Sequence, residues 1–283
     1  APGRRPPLRV ERLHGLDRQH RREAFREGQA QKVPRRQLSR RGQLFDIAIF
    51  FTLVGFAFKV SAVPFHFWAP DSYEGAPTPV TAFLSVASKT GGFVALLSLV
   101  YVGFFGRGDA WQPILWVLAA ASMTVGNLIA LRQSNLVRML AYSSIAQGGF
   151  MLVPFAVANQ GDGSARPEAF AATVVYLLIY AVMNLGAFAA LIAIARKTRS
   201  AEIDTYAGLF NYAPALAVTM SLFLFSLAGI PPLGGWYAKL VVFKAVIDAG
   251  TTQAVILGVV AALNSVIALF YYARVAGMMW FKP

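Results

Sequence analysis

Residues 227–239 have the sequence Leu-Ala-Gly-Ile-Pro-Pro-Leu-Gly-Gly-Trp-Tyr-Ala-Lys, which places two prolines, three glycines and a lysine inside an otherwise apolar run. This run, residues 213–249, is longer than the roughly 20 residues that cross a bilayer core of about 30 Å. Proline removes a backbone donor and clashes with the preceding helical turn, and glycine weakens a helix. We therefore predict a membrane helix that is broken just before Lys239.

Similar apolar windows recur along the chain between short polar breaks. The second window is also long, and Gly91 and Gly92 follow Lys89 within it, so we expect that helix to be interrupted too. Interrupted helices at membrane depth are typical of ion sites in transporters. The predicted spans are residues 45–67, 80–105, 111–131, 136–158, 170–195, 213–249 and 253–280. The fold class predicted is an all-α polytopic membrane protein with about seven transmembrane helices, two of them broken.

The composition changes near residue 43. The chain of 283 residues is 57% hydrophobic and only 14% charged, with a net charge of +13, whereas soluble domains carry about 25% charged residues. Residues 1–43 hold 13 of the 26 Lys and Arg and 4 of the 13 Asp and Glu. We divide the chain into a basic leader, residues 1–43, expected to be disordered or non-native, and a partial transmembrane domain, residues 44–283.

Three explanations of the leader stay open. It could result from translation of the gene in a shifted frame or from a misassigned start. It could also be a genuine disordered tail, or a segment that binds nucleic acid or anionic lipid. The loop charges bear on this choice, because the positive-inside rule assigns the more basic loops to the cytoplasm and leaves the leader on the opposite side. The basic residues at the cytoplasmic end are Arg132, Arg138, Arg196, Lys197, Arg199 and Lys282, against Arg107 and Arg166 at the other.

Three lysines lie at predicted membrane depth: Lys59, Lys89 and Lys239. A charge near the bilayer centre costs about 2.5–3.5 kcal/mol on insertion scales, so each such residue is a functional hypothesis. Burial disfavours the charged form of an amine and a neighbouring charge can restore it, which is the behaviour of a proton carrier. The alternative is that each lysine reaches the interface or forms a static ion pair. We predict that these three are the proton-translocating residues, with Lys244 at a more ambiguous depth.

Further polar residues are secondary candidates. His66 follows Lys59 by seven residues, which on a continuous helix is nearly the same face, and it could pass protons or lie at the interface. Asp71 and Glu74 belong to a loop where carboxylates are normally solvated. Uncharged polar groups inside spans either bond helix to helix or hold water in a pathway. These groups are Asn127, Ser143, Ser144, Gln147, Asn184 and Asn264.

Several kinds of site are not indicated. The chain has no cysteine, which excludes thiolate metal sites and a cysteine nucleophile. It also has no glycine-rich dinucleotide fingerprint after a strand, no phosphate loop and no paired-histidine metalloprotease motif. We therefore expect no cofactor-binding or metal-binding residue in this chain, and any linked redox chemistry must take place elsewhere.

Three stretches carry a resemblance to a known family. They are residues 58–71 (FKVSAVPFHFWAPD) continuing through YEGAPTPV at 73–80 to ASK at 87–89, residues 131–135 (LRQSN) with 138–146 (RMLAYSSIA), and residues 227–235 through Lys239. Together they resemble the antiporter-like membrane subunits of NADH-quinone oxidoreductase, respiratory complex I. Within that family the pattern looks like subunit N, since Lys239 stands where subunit M is expected to have an acidic residue.

The resemblance implies roles and partners. Lys59 corresponds to the proton-binding lysine of the family's seventh helix, Lys89 to the connecting lysine of the broken eighth, and Lys239 to the terminal lysine of the broken twelfth. NADH, FMN, iron-sulfur clusters and quinone are then expected in partner subunits. The expected partners are other complex I membrane subunits and the lipid bilayer, not nucleic acid, and the expected location is the inner membrane of a bacterial cell.

The sequence departs from the family pattern at several points. The chain would hold only the seventh to thirteenth helices, so the glutamate of the fifth helix that should pair with Lys59 is missing. Gln147 stands where relatives often have histidine and cannot titrate, and Phe150 stands where they often have tyrosine. Two other functions stay open: a subunit of a multisubunit cation/proton antiporter, and an inactive, truncated membrane scaffold.

Overall fold

The computed structural model describes residues 35–104, 106–158, 160 and 166–282. Over these ranges the chain is helical and has no strand, apart from one isolated bridge between Asn135 and Glu202. Two compact units are distinguished, Ala1–Ala48 and Ile49–Pro283, and everything that follows on packing concerns the second. Residues 1–34, most of the predicted leader, lie outside the described residues.

The first helix, α1, covers Arg35–Lys59. It begins earlier than predicted, so the part of the predicted leader from Arg35 onward is helical. It also ends earlier, because Ser61 has a positive φ of 60° and the residue before a proline, Val63, is disfavoured in the α region. The free backbone N–H of Val63 donates to Ser122 Oγ at 2.9 Å. The predicted span therefore ends at Lys59, not at residue 67.

Two helices follow the turn. Helix α2, Trp68–Gly75, is short, and Trp68 Nε1 donates to the carbonyl of Phe58 at 3.0 Å, which satisfies one of the last acceptors of α1. Helix α3, Thr78–Gly103, is long enough to span. Its interruption takes the form of two π-helical segments, Leu84–Ser88 and Leu99–Gly103, while Gly91 and Gly92 stay inside an α-helical stretch. Glycine keeps its N–H and costs only about 1 kcal/mol in a helix, so it does not open the chain.

Three long helices form the middle of the domain: α4 at Gly108–Ala130, α5 at Leu136–Val157 and α6 at Arg166–Thr198. Helix α5 is buried on all sides, with 20 of its 22 residues buried, as expected of a central helix. Glycine lets α4 approach it closely, since a Cβ on Gly149 would stand 2.7 Å from the backbone N of Met123.

The predicted sixth span is divided into two helices. Helix α7 covers Pro214–Ala228 and α8 covers Gly234–Ala249, and each is shorter than the roughly 20 residues that cross a bilayer. The break begins at Gly229, which ends α7 with a φ of 91°. Ser226 Oγ accepts from the backbone N–H of Gly235 at 3.2 Å and so ties the start of α8 to the end of α7.

The last helix, α9, covers Thr252–Phe281. Thr251 caps it by accepting from the backbone N–H of Ala254 at 3.2 Å. In the described part of the chain, six helices are long and apolar enough to cross a membrane, and α7 with α8 supplies the remaining, broken span. The predicted all-α polytopic fold with interrupted helices is thus confirmed.

Candidate functional site

Lys89 lies inside the helical bundle, directly after the π-helical segment Leu84–Ser88. Its side chain is only 3% exposed. Nζ donates to both the backbone carbonyl and Oγ of Ser144 on α5, each at 2.6 Å. The hydroxyl of Tyr180 on α6 donates to the same Oγ at 2.9 Å. Ser144 therefore connects the buried amine of α3 to both α5 and α6.

Tyr73 of the short helix α2 borders this cluster. Burial raises the pKa of Tyr73 to about 12, against the opposing effect of a hydrogen bond with Ser144. Its hydroxyl therefore stays protonated at neutral pH and is available as a donor. The lysine cluster thus has a tyrosine hydroxyl on the side of α2 as well as on the side of α6.

Lys239 is held at the break between α7 and α8. Its side chain is 5% exposed, and Nζ donates to the carbonyl of Ala228 at 2.6 Å. Ala228 is the last residue of α7, so this carbonyl has no partner within the helix and lies at the negative end of the helix dipole. Nζ also lies 4.8 Å from the ring centroid of Phe150.

Gly229 is required at this position for two reasons. Its φ of 91° is rarely adopted by residues with a side chain, and a Cβ there would stand 2.8 Å from Cδ of Lys239. The break therefore leaves both an acceptor for the amine and room for its aliphatic stem.

Gln147 lies between the two lysines. It is three residues after Ser144, hence on a neighbouring face of α5. Its Nε2 donates to the carbonyl of Leu227 at 3.0 Å, next to the carbonyl that accepts from Lys239. Its Oε1 accepts from the hydroxyl of Tyr176 at 2.5 Å, and Tyr272 lies at 3.5 Å from Nε2. Gln147 thus connects α5 to α6, α7 and α9.

The buried tyrosines of this network are not among the residues that the sequence predicted for the site. Tyr176 and Tyr180 are four residues apart on α6, and Tyr272 lies on α9 and bonds to Ser143. A buried tyrosine hydroxyl normally finds a partner. A mid-span pair at helical spacing was the available signal, because belt tyrosines lie near the ends of spans.

No carboxylate pairs with either buried lysine among the described residues: neither takes part in an ion pair. Over the same ranges, no group of three or more histidine, aspartate or glutamate side chains is placed to hold a metal ion. Among the described residues, the oxygens that accept hydrogen bonds from the two amines are two carbonyls and one hydroxyl.

Lys59 is not part of this buried network. It is the last residue of α1 and is exposed, and its stem packs on Gly92, where an added Cβ would stand 3.2 Å from Cγ of Lys59. His66 does not share a helical face with Lys59, because α1 ends at Lys59 and a turn precedes Pro64. The ring of His66 is partly buried, and its Nδ1 has no hydrogen-bond partner in the described part of the chain.

Lys244 lies at the surface of α8. Its side chain is 64% exposed and pairs with Asp248 one helical turn on, at 2.6 Å. Asp71 and Glu74 are exposed, as expected, and are also ion-paired: Arg138 donates to them at 2.8 and 2.6 Å, so that α2 is held against the start of α5. Lys244, Asp71 and Glu74 do not contact the two buried lysines.

The other predicted polar groups bond between helices. Asn127 on α4 donates to Asn264 Oδ1 on α9 at 3.1 Å and accepts from the hydroxyl of Tyr271 at 3.0 Å. Asn184 on α6 donates to Ser85 Oγ at 2.7 Å. These contacts join helix pairs at the border of the network: the ring centroid of Tyr271 lies 4.3 Å from that of Tyr272, and Ser85 precedes Lys89 by four residues on α3.

The chain is similar to proteins of known family. Subunit N of NADH-quinone oxidoreductase from Trichlorobacter lovleyi is 45% identical over 238 residues, covering 84% of this chain and 47% of the relative. NAD(P)H-quinone oxidoreductase subunit 2 from Synechocystis sp. is 47% identical over 236 residues, covering 83% of this chain and 43% of the relative. The chain therefore spans about half the length of the curated relatives it matches.

Solved structures give the same result. A chain of respiratory complex I from Thermus thermophilus with bound aureothin is 33% identical with a TM-score of 0.70, over 86% of this chain and 51% of that one. A chain of the Mrp complex from Dietzia sp. DQ12-45-1b is 26% identical with a TM-score of 0.74, over 84% and 42%. A family described as NADH:quinone oxidoreductase/Mrp antiporter, TM, matches residues 32–265. The resemblance seen in the sequence is thereby confirmed, and the chain belongs to the NADH:quinone oxidoreductase/Mrp antiporter transmembrane family.

Proposed function

We propose that this chain forms part of a proton-translocating membrane subunit of NADH-quinone oxidoreductase, with Lys89 and Lys239 as the proton-carrying groups of its interior. The observation that carries the proposal is the polar connection between two buried amines that lack a carboxylate. Lys89 bonds to Ser144, Gln147 lies three residues further on α5, and Gln147 bonds to Leu227 beside the acceptor of Lys239.

The surroundings of each lysine are suited to a change of protonation state. A neutral amine is tolerated in an apolar interior, whereas an ammonium is tolerated only with hydrogen-bond acceptors or a nearby negative charge. Each amine has one or two acceptor oxygens within 2.6 Å. A negative charge arriving at a neighbouring site would favour protonation, and its loss would favour release.

Hydroxyls and water would carry the proton between the two amines, and one amide would hold them in position. Tyr176 and Tyr272 lie beside Gln147, and Tyr180 lies beside Ser144. A hydroxyl both donates and accepts, so a chain of hydroxyls and water can pass a proton by reorienting its hydrogen bonds. Gln147 does not titrate, so its part is to hold the tyrosines and a water in position.

The complete path and its driving force belong to a larger assembly. We propose that Lys59, exposed at the end of α1, exchanges protons with a group outside the described bundle. Electron transfer from NADH to quinone, with FMN and iron-sulfur clusters, would take place in partner subunits, and other complex I membrane subunits would adjoin this chain. The location that fits is the inner membrane of a bacterial cell, because the relatives include bacterial subunits of that complex.

A second candidate is a subunit of a multisubunit cation/proton antiporter. Its specific support is the likeness to a chain of the Mrp complex, with a TM-score of 0.74. Deletion of the gene distinguishes the two. Loss of NADH-driven proton pumping favours the oxidoreductase, whereas salt sensitivity with normal NADH oxidation favours the antiporter.

The main test is performed on the assembled complex. Lys89→Met and Lys239→Met remove the amines and keep an unbranched apolar side chain, while Lys197→Met removes an exposed lysine at the end of α6 as a control. We expect the rate of proton transfer through this subunit to fall by about a hundredfold in the first two, the lower end of what a positioned acid or base contributes, and proton pumping per NADH oxidised by the complex to fall with it. The control should pump normally.

Unchanged proton-to-electron stoichiometry in both lysine variants would exclude the assigned role. If complexes carrying them also assemble and oxidise NADH normally, the third possibility, a membrane scaffold without a part in proton transfer, would be supported instead.

A further inference from the structure

A polar cavity of about 450 Å³ lies at the end of the domain that carries the more basic loops. It is formed where α4 and α9 end, with the turn at Ile203–Tyr206 beside it. Three cationic side chains line it, Arg132, Arg274 and Lys282, together with one carboxylate, Asp204. The cavity is separate from the path between the two buried lysines, none of whose residues line it.

Arg274 is held in place by the backbone. Its Nη1 donates to the carbonyl of Leu131 at 2.9 Å, and its Nη2 donates to the carbonyl of Gln133. Both carbonyls follow the end of α4, where acceptors lack helical partners. A guanidinium has five N–H donors, so donors remain for a ligand. The orientation of the group is therefore set before any ligand arrives.

The charges of the cavity are not balanced within the described residues. Three cations stand against Asp204, and none of them forms an ion pair with it at 4.0 Å or less. Basic residues that merely follow the positive-inside rule are dispersed and solvated. These three instead line one open cavity, in which their mutual repulsion is relieved by a bound anion.

The remaining lining residues identify the chemistry of that anion. The hydroxyl of Ser134 offers a neutral donor, and Ile203 and Met278 supply an apolar wall. The cavity lies where two membrane-spanning helices end, which is the depth of lipid headgroups. Basic pockets between membrane helices at this depth suit phosphate groups, and arginine suits their geometry. We propose that this cavity binds a phosphate group, either that of an anionic phospholipid headgroup or free phosphate.

The test uses the intact chain, extracted in mild detergent with any subunits that copurify. Native mass spectrometry then measures retained phospholipid after addition of phosphatidylglycerol or phosphatidylcholine, and a second arm measures binding of inorganic phosphate by calorimetry. The variant is Arg132→Gln with Lys282→Gln, which leaves the backbone contacts of Arg274 intact. The control, Arg196→Gln with Arg199→Gln, removes the same charge at the same end from exposed residues that do not line the cavity.

We expect the cavity variant to lose phosphatidylglycerol binding by about thirtyfold while the control keeps it, since each of the two basic groups removed contributes about 1 kcal/mol near a headgroup. If the phosphate arm alone shows this difference, the ligand is free phosphate. A charge-keeping variant, Arg132→Lys with Lys282→Arg, should bind like the parent and so separates loss of charge from misfolding. Equal losses in the cavity and control variants, or no loss in either arm, would overturn the proposal.

Discussion

Lys89 and Lys239 each lie at an irregular point of a membrane helix, but they obtain their hydrogen-bond acceptors in different ways. In α3 the chain stays helical through a π-helical segment before Lys89, whereas between α7 and α8 it leaves the helix before Lys239. Because an unbroken helix uses its own carbonyls, Lys89 takes its acceptors from α5, 55 residues away in sequence. The broken helix exposes its own terminal carbonyl, and Lys239 bonds to Ala228, only 11 residues away.

The acceptor of Lys239 is therefore supplied by nearby sequence, whereas the acceptors of Lys89 are supplied by packing between helices. The acceptor of Lys239 is produced by the same Gly and Pro residues that open the helix, so that site depends on backbone geometry. The acceptor of Lys89 exists only when α3 packs against α5, and half of it is the side chain of Ser144. Substitutions should therefore affect the two sites differently.

The largest effect is expected from Gly235→Ala, which tests the backbone dependence of the broken span. An added Cβ would stand 1.7 Å from the carbonyl oxygen of Ser226, and neither backbone can move without separating α7 from α8. We expect destabilisation of about 3 kcal/mol or more, the upper range for overpacking. Thermal unfolding followed by helical circular dichroism measures it.

The matched control for this change is Gly234→Ala. There the nearest atom to the added Cβ is Cγ2 of Ile179, the end of a side chain, at 3.3 Å. A parent-like melting temperature for Gly235→Ala would show that the break is not set by backbone contact.

The next largest effect is expected from Gln147→Leu, which tests the link between the two lysines. It leaves the hydroxyl of Tyr176 and the carbonyl of Leu227 buried without a partner. Stranding such groups costs about 1–3 kcal/mol. We expect a loss of stability in that range, measured by thermal unfolding, and weaker proton pumping by the assembled complex.

Gln112→Leu provides the contrast for Gln147. Gln112 is also buried, but its Nε2 has no hydrogen-bond partner in the described part of the chain, so its removal should be neutral or stabilising. If the two variants were equally destabilised, the hydrogen bonds of Gln147 would not account for its contribution to stability.

A smaller effect is expected from Ser144→Ala, which tests the tertiary site alone. Lys89 keeps the backbone carbonyl as an acceptor but loses Oγ, and Tyr180 loses its acceptor. We expect a cost of about 1 kcal/mol and a partial loss of pumping. Ser265→Ala is the control, because Ser265 bonds only within its own helix, to Ala261 at 3.0 Å. A pumping rate equal to that of the control would contradict this reading.

The smallest effect is expected from Gly91→Ala in α3. Nothing lies within 4 Å of the added Cβ, and the residue is helical. Alanine favours a helix over glycine by about 0.5–1 kcal/mol, so the variant should be as stable as the parent or slightly more so. Destabilisation in the same melting assay would mean that α3 depends on a glycine-induced break after all.

The sequence predicted the class of fold and the position of the open break because both follow from local chemistry. Long apolar windows specify spans, and two prolines between glycines open a helix whatever surrounds them. The sequence was less successful for α3, since glycines that keep their N–H do not break a helix and a π-helical segment has no comparably strong residue signal. It also failed at the end of α1, where a turn before Pro64 separates His66 from Lys59.

Residue chemistry alone predicts that the chain crosses a membrane, that lysines lie within the predicted spans and that one span opens before Lys239. Which lysines share a network depends instead on how the helices pack. Ser144, Gln147, Tyr176 and Tyr272 meet because α5 is surrounded by α3, α6, α7 and α9, and hydrogen bonds between helices depend on packing distances that no single helix encodes. The same reason explains why Lys244 turned out to lie at the surface while Lys239, five residues earlier, is buried.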